Sequence, residues 1–217
     1  MIDTPALARL AQRAVPPAEP DPGTPSVREE ECDLCAEPIG PAHRHLFEME
    51  SRQVLCVCTA CRILFDRGAA GGGHYRLIPE RRQRVTDFDL DDLEWEQLRI
   101  PVNVAFFAWS SAARRMVAMY PGALGAAESA LSLDTWRELA MRNPIVNDLL
   151  PDVEAVLVDR AKAPHRYFIV PIDDCYRLTG VIRTQWKGFT GGKEVWREID
   201  TFFDTLSRSA VTTLQRS

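Results

Sequence analysis

Five of the six cysteines fall within thirty residues, as Cys32-x-x-Cys35 and then Cys56-x-Cys58-x-x-Cys61, with 22 residues between the two Cys-x-x-Cys pairs. This spacing constrains the chain more than any other feature. Two Cys-x-x-Cys pairs can bring four thiolates to the corners of a tetrahedron if a β-hairpin between them folds the second pair back onto the first. Cys32, Cys35, Cys58 and Cys61 are therefore the expected metal ligands, with thiolates about 2.3 Å from a zinc ion. A site closed by four thiolates has no open position for water or substrate, which points to a structural staple and away from catalysis.

Cys56 complicates the choice of metal. It lies two residues before Cys58, so on a continuous strand both side chains face the same way, making Cys56 an alternative ligand or a neighbour of the site. A rubredoxin-type iron centre uses the same four-sulfur geometry, and an iron–sulfur cluster would choose four of the five, so iron is the alternative to Zn2+. His43 and His45 share a strand face and are expected to look into solvent from the hairpin.

Around these ligands the local signals are turn, hairpin and helix. Pro38 to Pro41 is turn chemistry, His45 to Glu50 and Gln53 to Cys58 read as a hairpin about Ser51-Arg52, and Thr59 to Asp66 reads as a helix ending near Gly68. A knuckle, a hairpin and a helix whose start carries the last two ligands is the plan of a treble-clef or zinc-ribbon module.

The rest divides by composition. Residues 1–29 read as a short helix and a proline-rich linker, with Pro16, Pro17, Pro20, Pro22 and Pro25 excluding a central strand. The cysteine-rich module takes 30–74, a charged connector 75–99 and a larger domain 100–210. Within the connector, Asp91 followed by Glu94 suits a helix start.

In the larger domain, Val102 to Trp109 with Arg115 to Tyr120, and Glu154 to Arg160 with Arg166 to Pro171, read as two hairpins. Helices are expected over Asp134 to Arg142, after an N-cap at Asp173, and from Lys193 to Ser207, where Val195, Trp196, Ile199, Phe202, Phe203 and Leu206 have the spacing of a broad core face. The class is α+β: a small metal module followed by an antiparallel sheet covered by helices. Cys175, Leu178 and Ile182 fall on one helix face, so the Cys175 thiol is expected in the core.

Other function classes are weaker. Lys plus Arg number 26 against 31 Asp plus Glu, and a net charge of −5 argues against a general nucleic-acid binder, the third reading of a zinc ribbon. The glycine-rich stretch from Trp186 to Lys193 is one residue short of a P-loop, follows a helix where a strand belongs, and has Glu194 in place of the magnesium-binding hydroxyl. Four histidines and no nucleophile motif leave no catalytic triad to assign, so the reading leans away from an enzyme. Met1 to Leu10 lacks the apolar core of an export signal and the longest apolar run is too short for a bilayer, so a cytoplasmic protein with reduced thiols is expected.

Five stretches carry a family resemblance: Cys32-Asp33-Leu34-Cys35, Leu55 to Cys61, Ile100-Pro101-Val102-Asn103-Val104-Ala105-Phe106-Phe107, Pro171-Ile172-Asp173-Asp174-Cys175-Tyr176, and Trp186 through Ile199. Together they resemble an actinobacterial family without a settled activity, whose genes accompany those of nickel–iron hydrogenases. The resemblance implies an accessory protein that grips a hydrogenase subunit or a maturation factor, or alternatively a rubredoxin-like iron carrier serving the same system. It implies no catalytic residues.

Overall fold

The computed structural model describes residues 30–66, 72–122, 124–129, 131–186 and 192–215. The expected N-terminal helix and linker, the end of the helix near Gly68 and the glycine-rich turn at 187–191 lie outside these residues. The described chain is a mixed α/β structure of multi-stranded sheets and helices.

The cysteine-rich region opens with a two-residue ribbon, β1 (Glu30–Glu31) against β2 (Pro38–Ile39). A hairpin follows, β3 (Arg44–Glu48) with β4 (Gln53–Val57), turning where Arg52 adopts φ 58°. Helix α1 (Thr59–Asp66) comes next, and β5 (Tyr75–Leu77) adds a third strand on the far side of β3. Cys32, Leu46, Val57 and Cys61 form the small core of this unit.

The charged segment expected as a connector is instead built into both sheets. Its first strand, β5, belongs to the three-stranded sheet, and β6 (Gln83–Val85) belongs to the large one. Between them and the next strand, α2 (Asp92–Gln97) begins as expected with a capping box: the Asp91 side chain accepts from the Glu94 N–H and the Glu94 side chain from the Asp91 N–H.

The large sheet takes β7 (Val104–Ser110), β8 (Arg115–Gly122), β9 (Gly125–Ser129), β10 (Glu154–Asp159), β11 (Arg166–Pro171) and β12 (Val211–Thr213). Its order is β12-β6-β11-β10-β7-β8-β9, antiparallel throughout except for the β12–β6 pair. Both expected hairpins are present, β7–β8 and β10–β11. The described residues also form three further α-helices, α3 (Leu133–Arg142), α4 (Ile172–Gln185) and α5 (Gly192–Ser209), and a short 3-10 helix, Pro144–Asp148.

Strand alternation divides the interior into two cores. Phe106, Ala108, Leu157, Phe168 and Val170 face α4 and α5, where Cys175, Leu178, Ile182, Val195, Ile199, Phe203 and Leu206 meet them. Phe107, Val156, Val158 and Ile169 face the other way, onto Trp95, Trp136 and Leu139 of α2 and α3. A sheet covered on both faces explains why its central strands read as unbroken apolar runs.

The first core also contains Phe47 of β3, with Met49 and Val54 packed against it. The cysteine-rich hairpin is thus seated on the same face of the sheet as α4. No helix among the described residues is long and apolar enough to cross a membrane.

Candidate metal centre

Each pair of expected ligands is set by its own local turn. In the first, the Ala36 N–H donates to Cys32 O and the Cys32 N–H to Glu37 O, both at 2.8 Å, closing a knuckle around Cys32 and Cys35. Ala36 takes φ 59°, a left-handed conformation that costs an L residue about 1–2 kcal/mol and is usually left to glycine. The knuckle is fastened to the hairpin by two bonds: the Asp33 N–H donates to Cys56 O at 2.9 Å, and the Cys56 N–H to Asp33 Oδ2 at 2.6 Å.

The second pair sits where β4 gives way to α1. Cys58 immediately precedes the helix and Cys61 lies in its first turn, where unpaired N–H groups favour anionic sulfur. The Cys61 N–H points at Cys58 Sγ at 3.4 Å, and Arg62 N–H bonds Cys58 O at 2.9 Å to start the helix.

These two turns bring together the four sulfurs of Cys32, Cys35, Cys58 and Cys61, all within 4.8 Å of one another. Cys35 and Cys58 Sγ are 3.6 Å apart. A tetrahedral zinc site with 2.3 Å bonds has sulfur–sulfur edges of about 3.8 Å, so the set fits a single metal ion of this kind.

Charge gives the same answer. Burial opposes ionisation of Cys32, but the N–H groups of Cys58, Leu34 and Cys35 outweigh it and bring the thiol down to about 6. The Glu37 N–H favours the Cys35 thiolate, yet contacts with Cys32 and Cys58 leave that thiol raised. Burial and the three neighbouring sulfurs push Cys61 far up. Four sulfurs this close do not all ionise alone; a divalent cation bound among them would supply the missing counter-charge.

Cys56 falls outside the group of four. The expectation that it would face the same way as Cys58 assumed one continuous strand, but β4 ends at Val57 and the chain turns into α1, carrying Cys58 away. Cys56 stands opposite His45 in the β3–β4 register, and its sulfur lies within 4.8 Å of ring nitrogens of His43 and His45.

The histidines therefore do not look into solvent as expected. His43 has only 11% of its side chain exposed and His45 30%. His45 Nδ1 contacts Asp173 Oδ2 at 2.7 Å, joining the hairpin to the first turn of α4. Asp173 is not the N-cap of that helix, because Pro171, at φ −62°, carries β11 straight into it. Asp174 pairs with Arg82 Nε and Nη2 at 2.5 and 3.0 Å. Cys175 is fully buried in the first core, as expected.

A cleft of about 660 Å³ opens beside the centre, lined by Cys35 and Cys58, by His43 and Arg44, and by Arg62 of α1. It gives solvent a route to this part of the molecule.

No curated protein and no solved structure matches the chain. The model of a family of unknown function, DUF5947, matches residues 31–210, which takes in the four-cysteine centre and both cores of the large sheet. The chain belongs to the DUF5947 family.

Proposed function

We propose that this protein is a metal-binding accessory factor working through protein–protein contacts, with one zinc ion held by Cys32, Cys35, Cys58 and Cys61 as the staple of a treble-clef or zinc-ribbon-like unit. The observation that carries the reading is the convergence of four sulfurs from a knuckle and a helix start, within 4.8 Å of one another. Four thiolates fill a tetrahedral ion, so the metal there stabilises the fold and does not bind substrate. The hairpin it holds is seated on the core through Phe47.

Two features support contact with a partner. Ile63 and Leu64 on α1 are 60% and 56% exposed, side by side on the helix that the metal anchors. The resemblance noted in the sequence supplies the partner's class: a nickel–iron hydrogenase subunit or one of its maturation factors.

The test is to purify tagged protein from its host without oxygen and identify what accompanies it, while measuring bound metal. Zinc without visible colour, together with a hydrogenase subunit or maturation factor, is the expected result. Clean recovery of the protein alone under metal-replete conditions contradicts the partner. Iron with sulfur-to-metal charge-transfer bands would replace the reading by that of a rubredoxin-like electron carrier, because zinc has no redox chemistry.

A further inference from the structure

We propose that His43, His45 and Cys56 form a second metal site, of open coordination, for one divalent transition-metal ion of zinc-like softness. This site is separate from the four-cysteine centre and goes beyond the accessory reading.

The placement follows from the hairpin. His45 and Cys56 are directly opposed on β3 and β4, and His43, two residues before His45, falls on the same face. One ligand atom from each lies within 4.8 Å of the others.

Hydrogen bonding then fixes which ring nitrogens are available. His45 Nδ1 faces Asp173 Oδ2 at 2.7 Å, and His43 Nδ1 faces Gly40 O at 2.9 Å with Glu30 Oε2 at 3.5 Å beyond it. A carbonyl cannot donate and an ionised carboxylate only accepts, so both Nδ1 atoms carry the hydrogens. The two Nε2 atoms are left as acceptors, and they point at each other 3.2 Å apart. Two lone pairs at that distance need a cation between them. Two nitrogens bound at 2.0–2.1 Å to a tetrahedral ion are about 3.3 Å apart, close to the observed separation.

The surrounding contacts are those of ligating histidines, whose second nitrogen is held by a carboxylate or a backbone carbonyl that fixes tautomer and ring orientation. Asp173 does this for His45 and Gly40 for His43. Two imidazoles and a thiolate suit zinc, cobalt or nickel and not magnesium or calcium, which prefer oxygen. With three protein donors the fourth position is free for water or for a donor from another molecule. His43 also lines the cleft beside the first centre, which gives that position an approach.

A single proton shared between the two Nε2 atoms is the competing occupant. It would leave Cys56 without a role and would make one histidine an imidazolium.

Zinc stoichiometry separates the two. Full-length protein equilibrated with micromolar zinc and examined by native mass spectrometry should carry two ions per chain. The His43→Gln/His45→Gln variant should carry one, held by the four cysteines, which also reports that the unit remains folded. Asp173→Asn should keep two ions but lose the weaker one to a competing chelator about ten- to a hundredfold more readily than wild type. In cobalt-substituted protein, Cys56→Ser should remove one thiolate-to-cobalt band and leave those of the four-cysteine centre. A single zinc in wild type, or two retained in the histidine variant, would overturn the site and assign the pair to a shared proton. Neither result would touch the zinc of the four-cysteine centre, which is counted separately.

Discussion

His45 and Asp173 are joined by a 2.7 Å contact across 128 residues of sequence, linking the cysteine-rich hairpin to the first turn of α4. The same hairpin inserts Phe47 into the core formed by Phe106, Phe168 and Phe203. Hairpin and large sheet therefore share apolar packing as well as a polar link. A metal-stapled unit that floated on a linker would have neither.

Shared packing sets the outcome of metal loss. Cys58→Ser removes one ligand of the zinc ion proposed for the four-cysteine centre, and the folded hairpin then loses the binding free energy that ion would supply. Because Phe47 lies in the large core, the whole chain should unfold in one transition at lower urea, with circular dichroism and tryptophan fluorescence changing together. Two separated transitions would show that the hairpin folds independently of the sheet.

Asp174 is 2% exposed and is held by Arg82 through two bonds and by Arg177 Nη2 at 2.9 Å. Asp174→Ala leaves Arg82 and Arg177, 30% and 60% exposed, to water and removes their charge-assisted bonds, so it should lower the stability measured by urea unfolding by about 1–3 kcal/mol. Arg137→Ala, which breaks an exposed pair with Asp134 within α3, should leave the midpoint almost unchanged.

Phe203 is fully buried between α5 and the sheet, against Phe168 with ring centroids 6.1 Å apart. Truncation there leaves a cavity that the surrounding strands cannot close, and Phe203→Ala should cost about 3–5 kcal/mol by the same measurement. Trp196→Ala, at a position 40% exposed on the same helix, should cost clearly less.

Burial, reinforced by Asp174 and Asp173, pushes the Cys175 thiol well above its ordinary range, so it is neutral and inaccessible at pH 8. Iodoacetamide should label it only as fast as the chain unfolds globally, as followed by peptide mass spectrometry across a urea series. Rapid labelling in native buffer would mean that α4 opens by itself.

What the sequence made legible was local. The spacing of Cys32, Cys35, Cys58 and Cys61 encodes two turns and needs only one hairpin to close, so the convergence of these four sulfurs could be read from spacing alone. The Asp91–Glu94 capping box and the Val195, Ile199, Phe203, Leu206 stripe are likewise written within a few turns of helix. The strands that escaped are those without a local signal. β5, β6 and β12 have three residues each, and β9, Gly125–Ser129, contains no β-branched or aromatic side chain. Ala36 occupies a left-handed position where glycine would have marked the knuckle. The His45–Asp173 contact has no sequence signature, because it depends on β3 and α4 meeting in the folded chain.

The zinc ion proposed for the four cysteines can be counted. The most direct measurement is metal content by mass spectrometry, with a visible spectrum, on anaerobically purified His43→Gln/His45→Gln protein, in which the second site is disabled. The expected result is one zinc per chain, no colour, and complete loss of zinc when Cys58→Ser and Cys61→Ser are added. A metal-free chain, or iron with charge-transfer bands in the visible, would contradict it.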